Sequence, residues 1–260
     1  MNIIVPVDFS QISLNAAQFA AKMLIGHYDT TIYLFHAYEK SKDAANAKAS
    51  LEQFREIMKE AGPVKIELLL EESDEFIETL ERKIRHLDVE LLIMSINEKN
   101  RFEQVISSSN SLRMIEKNLC PVLVIPPDAK YNEIKNVALA SDFKDVANSI
   151  PLVPVKRILS LFRPNLHIVN INSEIYVSLS EEYLEQRSRM QQMFTEFHPE
   201  FYFITTYDFH QTLRQFIDDK NIDLVLTFPR KHSFINNLIK GNNTKKLVME
   251  SSVPVLAAHE

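Results

Sequence analysis

Apolar residues along the chain come in two alternating patterns. Short continuous runs rich in β-branched and aliphatic residues occupy positions 2–7, 31–37, 64–70, 90–94 and 122–125. Such runs, bounded by polar or Gly/Pro punctuation, predict buried strands. Between them the apolar residues recur at helical spacing: Leu14, Ala17, Ala21 and Leu24; then Leu51, Phe54 and Met58; then Phe76, Ile77, Leu80 and Ile84; then a helix over 112–119. Ser10 and Ser13 can cap the first of these helices, and Gly26 would end it as a C′ residue. Gly62-Pro63 stops the second, and Ser73-Asp74 opens the third.

The cycle then starts again. Residues 127–132 form a short polar linker, and strands are predicted at 134–140, 166–171, 201–205, 224–227 and 255–258. A helix is expected over 181–197, and another from the capping pattern Asp208-x-x-Gln211 as far as Ile217. Pro151 and Pro154 suit no helix interior, so the first helix of this half should be less regular than its twin. Glu90 and Asp223 stand 133 residues apart, as do Pro121 and Pro254, while Asp142-Phe143 follows Asp8-Phe9 at an offset of 134. One module is written twice, with domains expected at 1–128 and 133–260. Strands alternating with helices predict an α/β fold of parallel βαβ units.

Composition narrows the function without choosing it. The chain of 260 residues is 45% hydrophobic and 25% charged, ordinary for a globular protein. No apolar run approaches the roughly 20 residues of a membrane span. The apolar start is broken at Asp8 and lacks a basic leader, so no signal peptide is expected. A single cysteine, Cys120, excludes an internal disulfide framework and a cysteine metal cluster. Together these point to the cytoplasm. A net charge of −6 without a long basic tract argues against sequence-independent nucleic-acid binding.

Two segments resemble a known family. Val5-Pro6-Val7-Asp8-Phe9-Ser10 is similar to the opening strand of universal stress proteins, and Cys120-Pro121-Val122-Leu123-Val124-Ile125 to their last strand. The resemblance implies two tandem Rossmann-like domains, each a five-stranded parallel sheet flanked by helices. It also implies an internal pseudo-dimer through the last strands, with a further homodimer open, and a role in stress response. Pairing of the last strands would cover two sheet edges.

Ligands of open α/β sheets bind beyond the carboxyl ends of the strands, where strand order reverses. Nucleotide-binding members of the family carry Gly-x-x-Gly, nine residues, then Gly-Ser/Thr there, because glycine lets backbone approach phosphate. In the first half these positions fall on Ser95, Glu98 and Ser108, followed by Ser109; in the second on Phe228, Lys231 and Gly241, followed by Asn242. One of six motif glycines survives, and the whole chain holds only three. A glycine-rich phosphate cradle is therefore absent from the sequence.

Two weaker candidates remain. The run Ser107 to Ser111 offers hydroxyls and amides at a helix start, against the alternative of plain N-capping. Arg230, Lys231 and His232 precede Gly241-Asn242 and could hold an anion, against the alternative of a solvated basic loop. By resemblance Asp8 and Asp142 lie near a bound nucleoside; alternatively each caps the turn after it.

Other chemistry is weak. None of the eight histidines shows metal-ligand spacing, and His36 and His167 read as packed strand residues. No Gly-x-Ser-x-Gly elbow occurs, and Cys120 before a proline reads as packed rather than nucleophilic. The expectation is a non-catalytic protein without cofactor, acting through an unknown protein partner. The rival is a switch or slow ATPase binding ATP or another adenine nucleotide, most plausibly through the second half.

Overall fold

The computed structural model describes residues 1–39, 44–96, 109–172, 181–206, 208–229 and 243–258. Its contacts divide the chain into two units, Met1–Asn132 and Glu133–Glu260.

In the first unit the apolar runs become strands β1 (Asn2–Pro6), β2 (Thr31–Tyr38), β3 (Ile66–Glu72), β4 (Leu91–Ser95) and β5 (Val122–Ile125). They pair in parallel in the order β3-β2-β1-β4-β5. Parallel strands buried on both faces need unbroken apolar runs. Ile3, Ile4 and Val5 of β1 and Leu91, Leu92 and Ile93 of β4 accordingly have no exposed surface. Each such side chain contributes about 1.5–3 kcal/mol by leaving water. The edge strand β3 is only partly covered, and its sequence IELLLEE carries the acids that a central strand would exclude.

Helices α1 (Gln11–Met23), α2 (Ala44–Lys59), α3 (Phe76–His86) and α4 (Asn110–Lys117) cover this sheet. Ser10 caps α1, its hydroxyl accepting from the Ser13 amide. Ala16, Ala17, Ala20 and Ala21 are fully buried, so the α1 backbone can lie close to the strands. The helix ends at Met23, earlier than its apolar spacing suggests. Gly26 takes a left-handed φ of 87° two residues past the Leu24 C-cap instead of at C′.

The second unit contains β6 (Asn136–Ala140), β7 (Asn165–Asn172), β8 (Glu200–Thr205), β9 (Leu224–Thr227) and β10 (Val255–Ala257), all parallel, in the order β10-β9-β6-β7-β8. Counted within the unit, the order is again third, second, first, fourth, fifth. The registers agree as well. Ile3 opposite Leu91 corresponds to Val137 opposite Leu224, and Leu92 opposite Val122 to Val225 opposite Val255.

Even the polar fastening repeats. The Glu90 carboxylate accepts the Asn2 amide at 3.1 Å, and the Asp223 carboxylate accepts the Asn136 amide at 2.9 Å. The side-chain amides of Asn2 and Asn136 donate to the carbonyls of Leu87 and Asn221. In each unit an acid ahead of the fourth strand thereby holds the first residue of the first.

The helices of the second unit are α5 (Val146–Ser149), α6 (Leu152–Phe162), α7 (Glu181–Met193), α8 (Phe209–Asp219) and α9 (Asn243–Glu250). The counterpart of α1 is split. Pro151 lies between α5 and α6, and Pro154 falls in the first turn of α6, where a missing N–H leaves no helical bond unmade. The long helix expected over 181–197 closes at Met193, followed by a 3-10 turn, Thr195–Phe197. Asp208 caps α8, as expected, by accepting the Gln211 amide at 3.0 Å.

Candidate functional site

The first unit has a cleft of about 350 Å³ beyond the carboxyl ends of β1 and β4, the point where strand order reverses. The chain leaving β1 supplies Pro6, Val7 and Asp8; β2 supplies His36 and Ala37; β4 supplies Met94 and Ser95. Ser109, Asn110 and Ser111 contribute the start of α4, and Phe76 the start of α3.

Asp8 is tied down locally. Its carboxylate accepts the Ser10 hydroxyl at 2.6 Å and the Ser10 amide at 3.0 Å, while its own amide donates to the Ser13 hydroxyl at 3.3 Å. Burial pushes the Asp8 carboxyl up, but the Ser10 and Ser13 hydrogen bonds outweigh it and hold the group below the ordinary carboxylate range. Phe9 then adopts a left-handed φ of 64°, unusual for an aromatic residue. This turn lays the Phe9 ring on His36, with centroids 4.2 Å apart. His36 Nδ1 lies 2.8 Å from the Val7 carbonyl, which only accepts, so Nδ1 donates there.

On the opposite wall, Ser111 donates its hydroxyl to the Ser95 carbonyl at 2.7 Å, locking the α4 start to the end of β4. Ser109 is the α4 N-cap, and its side chain makes no capping hydrogen bond. Its buried hydroxyl and the first amides of α4 stand at the cleft without that cap, and a helix N-terminus favours negative or oxygen-rich groups. Among the described lining residues Asp8 is the only carboxylate, and none is Lys or Arg.

The same turn is built in the second unit with other side chains. Asp142 accepts the Lys144 amide at 3.1 Å, as Asp8 accepts that of Ser10, and Phe143 has a φ of 54°. Asn170 replaces His36, donating its side-chain amide to the Ser141 carbonyl at 2.8 Å. The Phe143 ring packs within 6.0 Å of Tyr183, Phe201 and Phe203. Phe228, which stands where the first unit has Ser95, is buried.

The structure therefore brings Asp8, Ser95 and Ser109 to one cleft and places Asp142 at the matching turn of the other unit. Ser108, Arg230, Lys231, Gly241 and Asn242 lie outside the described residues. Sequence spacing did not single out His36 or Ser13 as lining residues, whereas Ser111 closes the run from Ser107 that the sequence offered as a candidate. For His36 and Ser13 the one available signal was their position: each lies within a few residues of a strand's carboxyl end or of a helix start. Cys120 takes no part. Enclosure of its sulfur pushes the thiol up to about 12, against a small opposing pull from the Leu92 backbone, so it is not a thiolate at neutral pH.

Among the described residues no helix is long and apolar enough to cross a membrane. No curated protein sequence matches the chain. A universal stress protein from Archaeoglobus fulgidus DSM 4304 superposes with a TM-score of 0.69 at 13% identity, covering 100% of this chain and 96% of its own. A functionally unknown protein from Pseudomonas aeruginosa PAO1 gives 0.66 at 14% identity, covering 99% and 92%. The cytoplasmic domain of a prokaryotic cation chloride cotransporter gives 0.57 at 13% identity, covering 100% and 95%. At these identities the likeness shows an α/β fold with a parallel sheet flanked by helices. The family model "Universal stress protein family" matches residues 1–126 directly. Residues 1–126 are thus a universal stress protein domain.

Proposed function

We propose that the chain is a tandem universal stress protein, with domains at 1–128 and 133–260, that acts in stress adaptation by binding or scaffolding rather than by catalysis. Its cleft keeps the frame of a ligand site and lacks the glycine cradle of an ATP site. The observation that carries this reading is the cleft at the strand-order reversal of the first unit, where Ser95 takes the place of the first motif glycine and Asp8, Ser109 and Ser111 line the wall beside it. A side chain at a glycine position keeps a polyphosphate from close approach to backbone, and the acid Glu98, at another of those positions in the sequence, would repel it. The internal duplication and the matched registers support two equivalent domains. The single cysteine supports a cytoplasmic setting.

The chain has no Trp and eight Tyr, so copurified nucleotide would raise its 260/280 nm absorbance ratio visibly. The expected result is a clean protein spectrum and no thermal shift from millimolar ATP, ADP, AMP or cyclic nucleotide. If ATP stabilises the protein and Lys231→Ala removes the effect, the rival reading replaces this one: a nucleotide switch or slow ATPase using Arg230, Lys231, Gly241 and Asn242 of the second domain. If Ser95→Phe removes it instead, the first cleft binds nucleotide without glycines.

A further inference from the structure

Away from both strand-order reversals, the second unit buries a histidine amid polar groups that the proposed binding function leaves unused. His167 of β7 is 7% exposed. Its Nε2 lies 3.5 Å from Asn136 Oδ1, an acceptor that also takes the Asn165 side-chain amide at 3.1 Å. Nε2 therefore bears the proton of the neutral ring, and Nδ1 is a buried acceptor with no hydrogen-bond partner among the described residues. The nearest charge to it is the Glu200 carboxylate, 3.7 Å away across the β7–β8 pair. In the neutral state two acceptors thus face each other, and Glu200 takes its hydrogen bond from the Tyr202 hydroxyl instead. Phe216 of α8 closes the ring's other side, and the Lys220 ammonium lies 4.7 Å from the Tyr202 ring centre. Asp223, engaged by the Lys135 and Asn136 amides, is the next charged group of this network among the described residues.

We propose that His167 and Glu200 form a proton-operated switch, in which protonation of the buried imidazole draws the Glu200 carboxylate from Tyr202 to Nδ1. Protonation turns Nδ1 into a donor, and the resulting imidazolium–carboxylate pair satisfies the orphaned ring atom. Glu200 is exposed to solvent on the edge strand β8. Burial opposes the charged ring and Lys220 opposes it further, while Glu200 favours it, leaving His167 below the ordinary histidine range. The switch therefore operates on the acid side of neutrality. The first unit lacks it, because the paired positions there are Tyr33 and Glu67, and tyrosine does not titrate in that range.

The test is a pH titration of the histidine ring nitrogens of the full chain by NMR, with His167→Asn giving the assignment. If that variant does not fold, ring-proton contacts to Tyr202 assign the signal. Competition for one carboxylate predicts opposite shifts from two exposed-side substitutions. Glu200→Gln should lower the His167 midpoint by about one pH unit, and Tyr202→Phe should raise it by at least about half a unit. A midpoint unmoved by Tyr202→Phe would overturn the exchange. A His167 signal that stays neutral until the protein unfolds would overturn the switch altogether.

Discussion

The two units share strand order, register and the acid that pins the first strand, yet they finish the carboxyl ends of their strands differently. In the first, Asp8, His36, Ser95 and Ser109 border an open cleft. In the second, Phe143 lies among Tyr183, Phe201 and Phe203, Asn170 stands in for His36, and Phe228 is buried where Ser95 is half-exposed. The difference teaches that the frame and the strand ends obey separate constraints. A parallel sheet requires apolar side chains on both faces and correct register, and any residue that fits those terms is tolerated. Beyond the last ladder bond no such demand exists. Polar residues can hold a cleft there in one copy while aromatic ones pack in the other.

The sharpest way to break this comparison is to exchange its two most divergent positions. Phe228→Ser should destabilise the second unit by about 3–5 kcal/mol, because a buried ring leaves a cavity. Ser95→Phe should cost the first unit less than about 1.5 kcal/mol, because its ring enters the open cleft. Urea titrations of the two variants would show the asymmetry, and equal losses would refute it. Within the frame the copies should instead behave alike. Ile93→Ala and Leu226→Ala, at matching positions with no exposed surface, should each cost about 2–5 kcal/mol in the same titrations.

The polar fastening offers a smaller effect. Asn2→Ala should lose about 1 kcal/mol, read as a lower unfolding midpoint, since it removes a side-chain hydrogen bond to a turn carbonyl, and Asn136→Ala should lose more, since it also removes the acceptor of the Asn165 amide and of the buried His167 ring. The least effect is expected from pH between 8 and 5, where His167 of the second unit is the group concerned. His167 sits below its ordinary value of 6.5, so the unfolded chain binds the proton more readily. Stability is then full above about 6.5 and declines as pH falls through that value toward the lower folded one. Thermal melts between pH 8 and pH 5 should show this loss, and His167→Asn should flatten it. A wild-type Tm unchanged across that range would contradict the reading.

Much of the fold was legible before any coordinates. The strands at 122–125 and 224–227 agree residue for residue, because short apolar runs closed by proline or polar residues admit few boundaries. Helix ends were less legible. Gly26 suggested a C′ position, but α1 stops at Met23, where the Leu24 amide closes the last turn on the Ala20 and Ala21 carbonyls. The candidate site was legible as a place: Asp8, Ser95 and Ser109, which the family resemblance set at the strand ends, line one cleft. His36 escaped because a histidine in a strand carries no sign of which end will open on a cleft. The structural use of Asp8 likewise depends on Ser10 and Ser13 folding back onto it.

The sequence by itself determined the α/β class and the recurrence of its pattern at an offset of about 133 residues, since these follow from periodicity and spacing, and it holds only three glycines. Only the tertiary structure decided that His36 joins Asp8 and Ser95, that Phe228 is buried where Ser95 borders a cleft, and that His167 faces Glu200. Each of these is a contact between residues dozens of positions apart. Strand register sets such contacts, and no local pattern encodes register across a parallel sheet.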